Sequence, residues 1–138
     1  MSFSIKGLNH LALVVEDINA AKKWFIDCLG LSVLEDRGEL VILKAGNDVI
    51  AVKTKSYAIN KPEFENDNFD FPLRSGWQTL DHYGFYAASP EEVDTFAEKL
   101  KSWDIPILKG PYSRSDGRSV YFRDPCGNVG EYFFYTGH

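Results

Sequence analysis

Two histidines, His10 and His82, stand 72 residues apart in matching surroundings, and that offset reads the chain as two copies of one unit. The first lies in Leu8-Asn9-His10 and the second in Leu80-Asp81-His82. Seven residues past each comes a helix-capping residue, Asp17 or Ser89. Fourteen past each comes a large aromatic, Trp24 or Phe96, and eighteen past each an apolar residue, Cys28 or Leu100. A duplicated module with one histidine at the same point in each copy suits a site shared between the copies, with metal chemistry the leading candidate.

The hydrophobic periodicities repeat with the same offset. Residues 7–15 predict a strand that is apolar on nearly both faces, with His10 beside Leu8, Ala12 and Val14 on one of them. Asp17 then caps a helix expected over 18–29, with a stripe of Ala20, Ala21, Trp24, Phe25, Cys28 and Leu29 and a left-handed stop at Gly30. Strands follow at 31–35, 39–45 and 48–54, the last two joined by Gly46-Asn47. The second copy predicts a strand over 80–88 and a helix opened by Ser89-Pro90-Glu91-Glu92 with Val93, Phe96, Ala97, Leu100 and Trp103 inside. A short strand at 105–108, strands at 118–123 and 129–135, and a turn at 124–128 complete it.

The fold class is therefore α+β: two βαβββ modules whose sheets form one curved mixed sheet, with helices outside. Neither module alone has the apolar surface to close a core, so residues 1–138 are expected to form a single domain. Module one covers about 6–56, a loop 57–78, and module two about 79–136. The loop mixes Pro62, Pro72 and Gly76 with Tyr57, Phe64, Phe69, Phe71 and Trp77, which argues for a flap over a site or a contact to a second subunit.

A net charge of −5 with no basic stripe speaks against nucleic acid as a partner. The apolar runs are strand-length, so no membrane span is expected, and the first residues lack the pattern of a secretory signal. Two cysteines in unlike settings, Cys28 on a helix and Cys126 in a turn, do not make a disulfide framework, and a cytoplasmic setting fits best.

Three residues carry most of the chemical signal: His10, His82 and Glu131. Both histidines are placed mid-strand, with Ala12 and Gly84 two residues on to leave room for an imidazole. Glu131 interrupts the apolar run Val129 to Tyr135, where a carboxylate is costly to bury without a partner, and Gly130 leaves space beside it. Taken singly, each has a blander reading as a structural histidine or a surface glutamate. Together, two imidazoles and one carboxylate on one side of a cation leave its other side open, an arrangement suited to iron, manganese, nickel, cobalt or zinc.

The opening Leu8-Asn9-His10-Leu11-Ala12-Leu13, with Asp17 and the Trp24-Phe25 helix, resembles that of vicinal oxygen chelate proteins. These include glyoxalase I, extradiol dioxygenases, fosfomycin-modifying enzymes and bleomycin-resistance proteins. The segment Ser119 to Glu131 resembles their closing motif, in which Asp124-Pro125-Cys126-Gly127-Asn128 precedes the metal-binding glutamate. The resemblance covers nearly the whole chain except the 56–78 loop. It implies a glyoxalase-like fold, a divalent cation on His10, His82 and Glu131, and a homodimer. The cation would chelate two neighbouring oxygens of a small substrate and stabilise an enolate or alkoxide, open an epoxide, or activate dioxygen.

Departures narrow the resemblance. Glyoxalase I adds a fourth ligand, a glutamate, near Ala51, where neither Ile50 nor Ala51 can bind a metal. Gly117-Arg118-Ser119-Val120-Tyr121 resembles the phosphonate-contacting segment of the fosfomycin-modifying members, which makes Arg118, Ser119 and Tyr121 substrate-binding candidates. The alternative there is an ordinary strand edge with one salt bridge. The function expected is a metal-dependent enzyme acting on a small oxygen-rich molecule. The rivals are a metal-free drug-binding protein of bleomycin-resistance type and a fosfomycin-modifying enzyme.

Overall fold

The structure, a computed structural model, describes residues 8–59 and 80–136. They fall into two compact units, divided between Gln78 and Thr79.

In the first unit, strand β1 (His10–Val15) leads to helix α1 (Ile18–Lys22), which continues as a π-helical stretch over Lys23–Cys28. The Asp17 carboxylate caps α1, accepting from the amides of Asn19 and Ala20 at 2.9 and 3.1 Å. The expected helix is thus present, with its second half widened: the Leu29 amide reaches back five residues to the Trp24 carbonyl. That wide turn carries two adjacent rings, Trp24 and Phe25, both fully buried. Gly30, at φ +75°, ends it. Strands β2 (Ser32–Asp36), β3 (Leu40–Ala45) and β4 (Asp48–Thr54) complete a sheet of order β1-β4-β3-β2. A short helix α2 (Lys55–Ile59) follows, so the stretch read as irregular from Ser56 begins helically. The flap or subunit contact expected at 57–78 lies, from residue 60 on, outside the described residues.

The second unit repeats this topology. Strand β5 (Tyr83–Tyr86), helix α3 (Pro90–Ser102), and strands β6 (Ile107–Arg114), β7 (Gly117–Arg123) and β8 (Val129–Tyr135) form a sheet of order β5-β8-β7-β6. In both units the first strand runs parallel to the last and the other pairings are antiparallel. The Ser89 hydroxyl accepts from the Glu92 amide at 3.2 Å, and Glu92 accepts in return from the Ala88 amide at 2.7 Å.

Two expectations change. His82 precedes β5 rather than lying mid-strand, and His10 is the first residue of β1. Strand β6 runs to Arg114, well past the short 105–108 strand expected. The strand passes through Gly110-Pro111 because β6 is the outer strand of its sheet, where a proline forfeits no ladder bond to an outer neighbour.

Alternation sorts the second sheet into two faces. Tyr83, Val120, Phe122, Gly130 and Tyr132 face α3, where Phe96 stacks against Phe122 and Tyr132. Gly130 belongs to this packing. A Cβ there would come within 2.4 Å of the buried Phe122 ring, so the space expected beside Glu131 is filled from the opposite face. Asp124 fastens the β7–β8 turn, accepting from the amides of Cys126 and Asn128 at 2.9 Å each and from the Tyr83 hydroxyl at 2.8 Å.

Candidate metal centre

The other face of the second sheet carries Gly84, Tyr86, Ser119, Tyr121, Glu131, Phe133 and Tyr135. Glu131 pairs across β8 with Gly84 on one side and Tyr121 on the other, and only 7% of it is exposed. Its two oxygens have different surroundings. Oε2 accepts from the Ser119 hydroxyl at 2.6 Å and from Nη1 of Arg114 at 3.3 Å. Oε1 faces Nε2 of His82 at 3.5 Å. A Cβ at Gly84 would lie 3.8 Å from Oε1, so the glycine leaves the approach to that oxygen open.

His82 is oriented from behind. Its Nδ1 lies 2.6 Å from the Asp81 carboxylate, which holds that edge of the ring and turns Nε2 toward Glu131. His10 in the first unit is arranged alike, with Nδ1 2.7 Å from Oδ1 of Asn9. In each unit the residue before the histidine holds Nδ1 and leaves Nε2 as the free edge of the ring. On the first sheet, β1 and β4 pair Ala12 with Ala51, and among the described residues no cluster of metal-binding side chains forms around His10.

Tyr121 stands edge-on to His82, their ring centres 5.5 Å apart. Burial, and then the neighbouring Glu131 carboxylate, push its phenol above the ordinary tyrosine value, so it keeps its proton at neutral pH. A cavity of about 370 Å³ opens on this face, lined by Gly84, Phe85, Tyr86, Glu131, Phe133 and Tyr135.

The three substrate-binding candidates separate. Tyr121 is at the site. Ser119 is on the same face but wholly buried beneath Glu131, its hydroxyl committed to Oε2. Arg118 is on the α3 side, forked onto Asp94 at 2.6–3.2 Å with Ser113 beside it, which is the strand-edge salt bridge of the plainer reading. Adjacent strand residues face opposite ways, and that alternation was the signal separating Arg118 from Ser119. Arg114, which no motif marks, is the arginine on the Glu131 face.

A divalent cation fits the second unit's donors. Two ligands held near 2.1 Å at right angles stand about 3 Å apart, so the imidazole and carboxylate, 3.5 Å apart, need only a slight inward shift to share one. The Asp81, Asp116 and Glu131 carboxylates outnumber the one guanidinium among them. Among the described residues, neither unit by itself assembles three His, Cys, Asp or Glu donors.

The model of the Glyoxalase/Bleomycin resistance protein/Dioxygenase superfamily matches residues 7–132. The chain belongs to that superfamily. Its relatives there include a manganese-dependent 2,3-dihydroxybiphenyl 1,2-dioxygenase of Geobacillus genomosp. 3, 23% identical over 97% of this chain. The chain spans only 38% of that enzyme's length. The fosfomycin resistance protein FosX of Listeria monocytogenes is 25% identical, over 87% of this chain and 83% of its own length. Among solved structures, lactoylglutathione lyase from Agrobacterium tumefaciens shares the superfamily fold at a TM-score of 0.71, 24% identical with 94% of each chain covered. Among the described residues no helix is long and apolar enough to cross a membrane.

Proposed function

We propose that the chain is a metal-dependent enzyme in which His10, His82 and Glu131 hold one divalent cation that engages two neighbouring oxygens of a small molecule. The observation that carries this is the Nε2 of His82 facing Oε1 of Glu131 at 3.5 Å, with Asp81 holding the opposite ring nitrogen. His10 joins them because Asn9-His10 repeats Asp81-His82 in the matching position of the first unit. Manganese, iron, cobalt, nickel and zinc all accept such donors.

When bound, the cation supplies Lewis acidity toward substrate oxygens. The protein supplies the rest. His82 and Glu131 would hold the cation in the second unit, and His10 would supply the third donor. Gly84 keeps the approach to Oε1 clear. The phenol of Tyr121, protonated at neutral pH, is a hydrogen-bond donor for an oxygen that gains charge. Tyr86, Phe133 and Tyr135 wall the cavity with rings that exclude water from an apolar substrate body. A pairing of two chains and a cytoplasmic setting belong to the same reading.

One observation favours a second reading, a metal-free binder of drug-like molecules: the same three aromatic walls suit stacking without any cation. A crystal grown with manganese separates the two. An anomalous-scattering peak bonded to His10, His82 and Glu131 supports the enzyme. A peak absent from those side chains, with an aromatic ligand still binding the cavity, supports the binder.

A further inference from the structure

We propose that Ser119 and Arg114 are positioning residues for Glu131: by gripping Oε2 they leave Oε1 as the one oxygen offered to the cation. The inference rests on the cation site above and adds a role for two side chains that do not touch the metal.

The grip is built from two independent directions. Ser119 comes from β7, is wholly buried, and donates a 2.6 Å bond to Oε2, a length typical of a charge-assisted O–H···O⁻ contact. Arg114 comes from the outer strand β6 and reaches the same oxygen through Nη1 at 3.3 Å. Its other nitrogens are held in place, Nε and Nη2 lying 2.9 and 3.0 Å from the two oxygens of Asp116. The guanidinium also sits 4.7 Å over the Phe133 ring. Burial works against its charge, but Asp116, Tyr112 and Glu131 together more than offset it.

Two donors on one oxygen have a definite consequence for a carboxylate ligand. Oε2 cannot turn toward a cation without giving up the Ser119 and Arg114 bonds, so Glu131 binds through one oxygen only. One more coordination position is thereby left for substrate. Partners of this kind, behind the ligands themselves, typically govern metal affinity by 10–100-fold.

The test uses the full chain with Mn²⁺ and Co²⁺ as probes. Ser119→Ala and Arg114→Lys are each expected to weaken Mn²⁺ binding by roughly 10–100-fold, read by paramagnetic resonance of the free ion. At saturating Co²⁺ the visible bands of both variants are expected to move and lose intensity as Glu131 swings to bind through both oxygens. Affinities within about twofold of the unmodified chain overturn the proposal. So does weaker binding with an unchanged Co²⁺ spectrum, which marks a merely structural role. Should Ser119→Ala fail to fold, Arg114→Lys at its partly exposed position carries the same two readouts. A chain whose unmodified form binds neither ion overturns the cation site itself, and the grip with it.

Discussion

Nε2 of His82 and Oε1 of Glu131 lie 3.5 Å apart although 49 residues separate them in the chain. The parallel pairing of β5 with β8 brings them together. It sets Gly84 directly opposite Glu131, and the histidine two residues earlier overhangs the same face. The Asp124 turn fixes where β8 begins, and a one-residue slip there would send Glu131 to the α3 side.

Gly130→Ala tests that register from the opposite face. The added methyl meets the buried Phe122 ring at 2.4 Å and Tyr83 at 3.1 Å, so overpacking is expected to cost about 1–3 kcal/mol. Urea unfolding of the metal-free chain measures it. A loss below roughly half a kcal/mol would show that the rings yield freely.

Asp124 should give the stability a pH dependence of known sign. Burial raises its pKa above the usual carboxylate value, against the lowering effect of the Tyr83 hydroxyl and three backbone amides. A raised folded-state pKa means a contribution fully present below the unfolded value, near 3.9, and lost as pH rises through the folded one. Unfolding free energies of the wild-type chain and Asp124→Asn, compared from acid to neutral pH, should therefore shift against the wild type as pH increases. Tyr83→Phe, which strips a donor from this buried acceptor, is expected to cost about 1–3 kcal/mol at neutral pH. A pH-independent difference between wild type and Asp124→Asn would contradict the assignment.

Arg118→Ala distinguishes the two arginines. Arg118 is forked onto the exposed Asp94 on the α3 side, so its loss should change stability little and leave cation affinity within about twofold. Isothermal titration with Mn²⁺ checks this. A tenfold loss of affinity would place Arg118 in the site after all.

Much of the fold was legible because it repeats. The caps at Asp17 and Ser89, the stop at Gly30 and the strand periodicities locate both βαβββ units within a few residues. Glu131 was legible as a carboxylate in an apolar strand. The setting of the site was less so. The length of β6, and with it Arg114, was not legible, because only its place as the outer strand lets it run through Gly110-Pro111. Arg118, Ser119 and Tyr121 read as one anion-binding phrase, yet a strand divides neighbours between its faces. Ser119 looked like a substrate contact because its burial under Glu131 depends on pairing between β7 and β8, which spacing alone does not reveal.

The most direct measurement is cation stoichiometry and affinity in the full chain, with His10→Ala, His82→Ala and Glu131→Gln beside it. One Mn²⁺ or Co²⁺ per chain is expected, with a loss of at least roughly tenfold in affinity for each of the three variants. A wild-type chain that binds no cation, or any one of the three variants that binds as tightly as wild type, would contradict it.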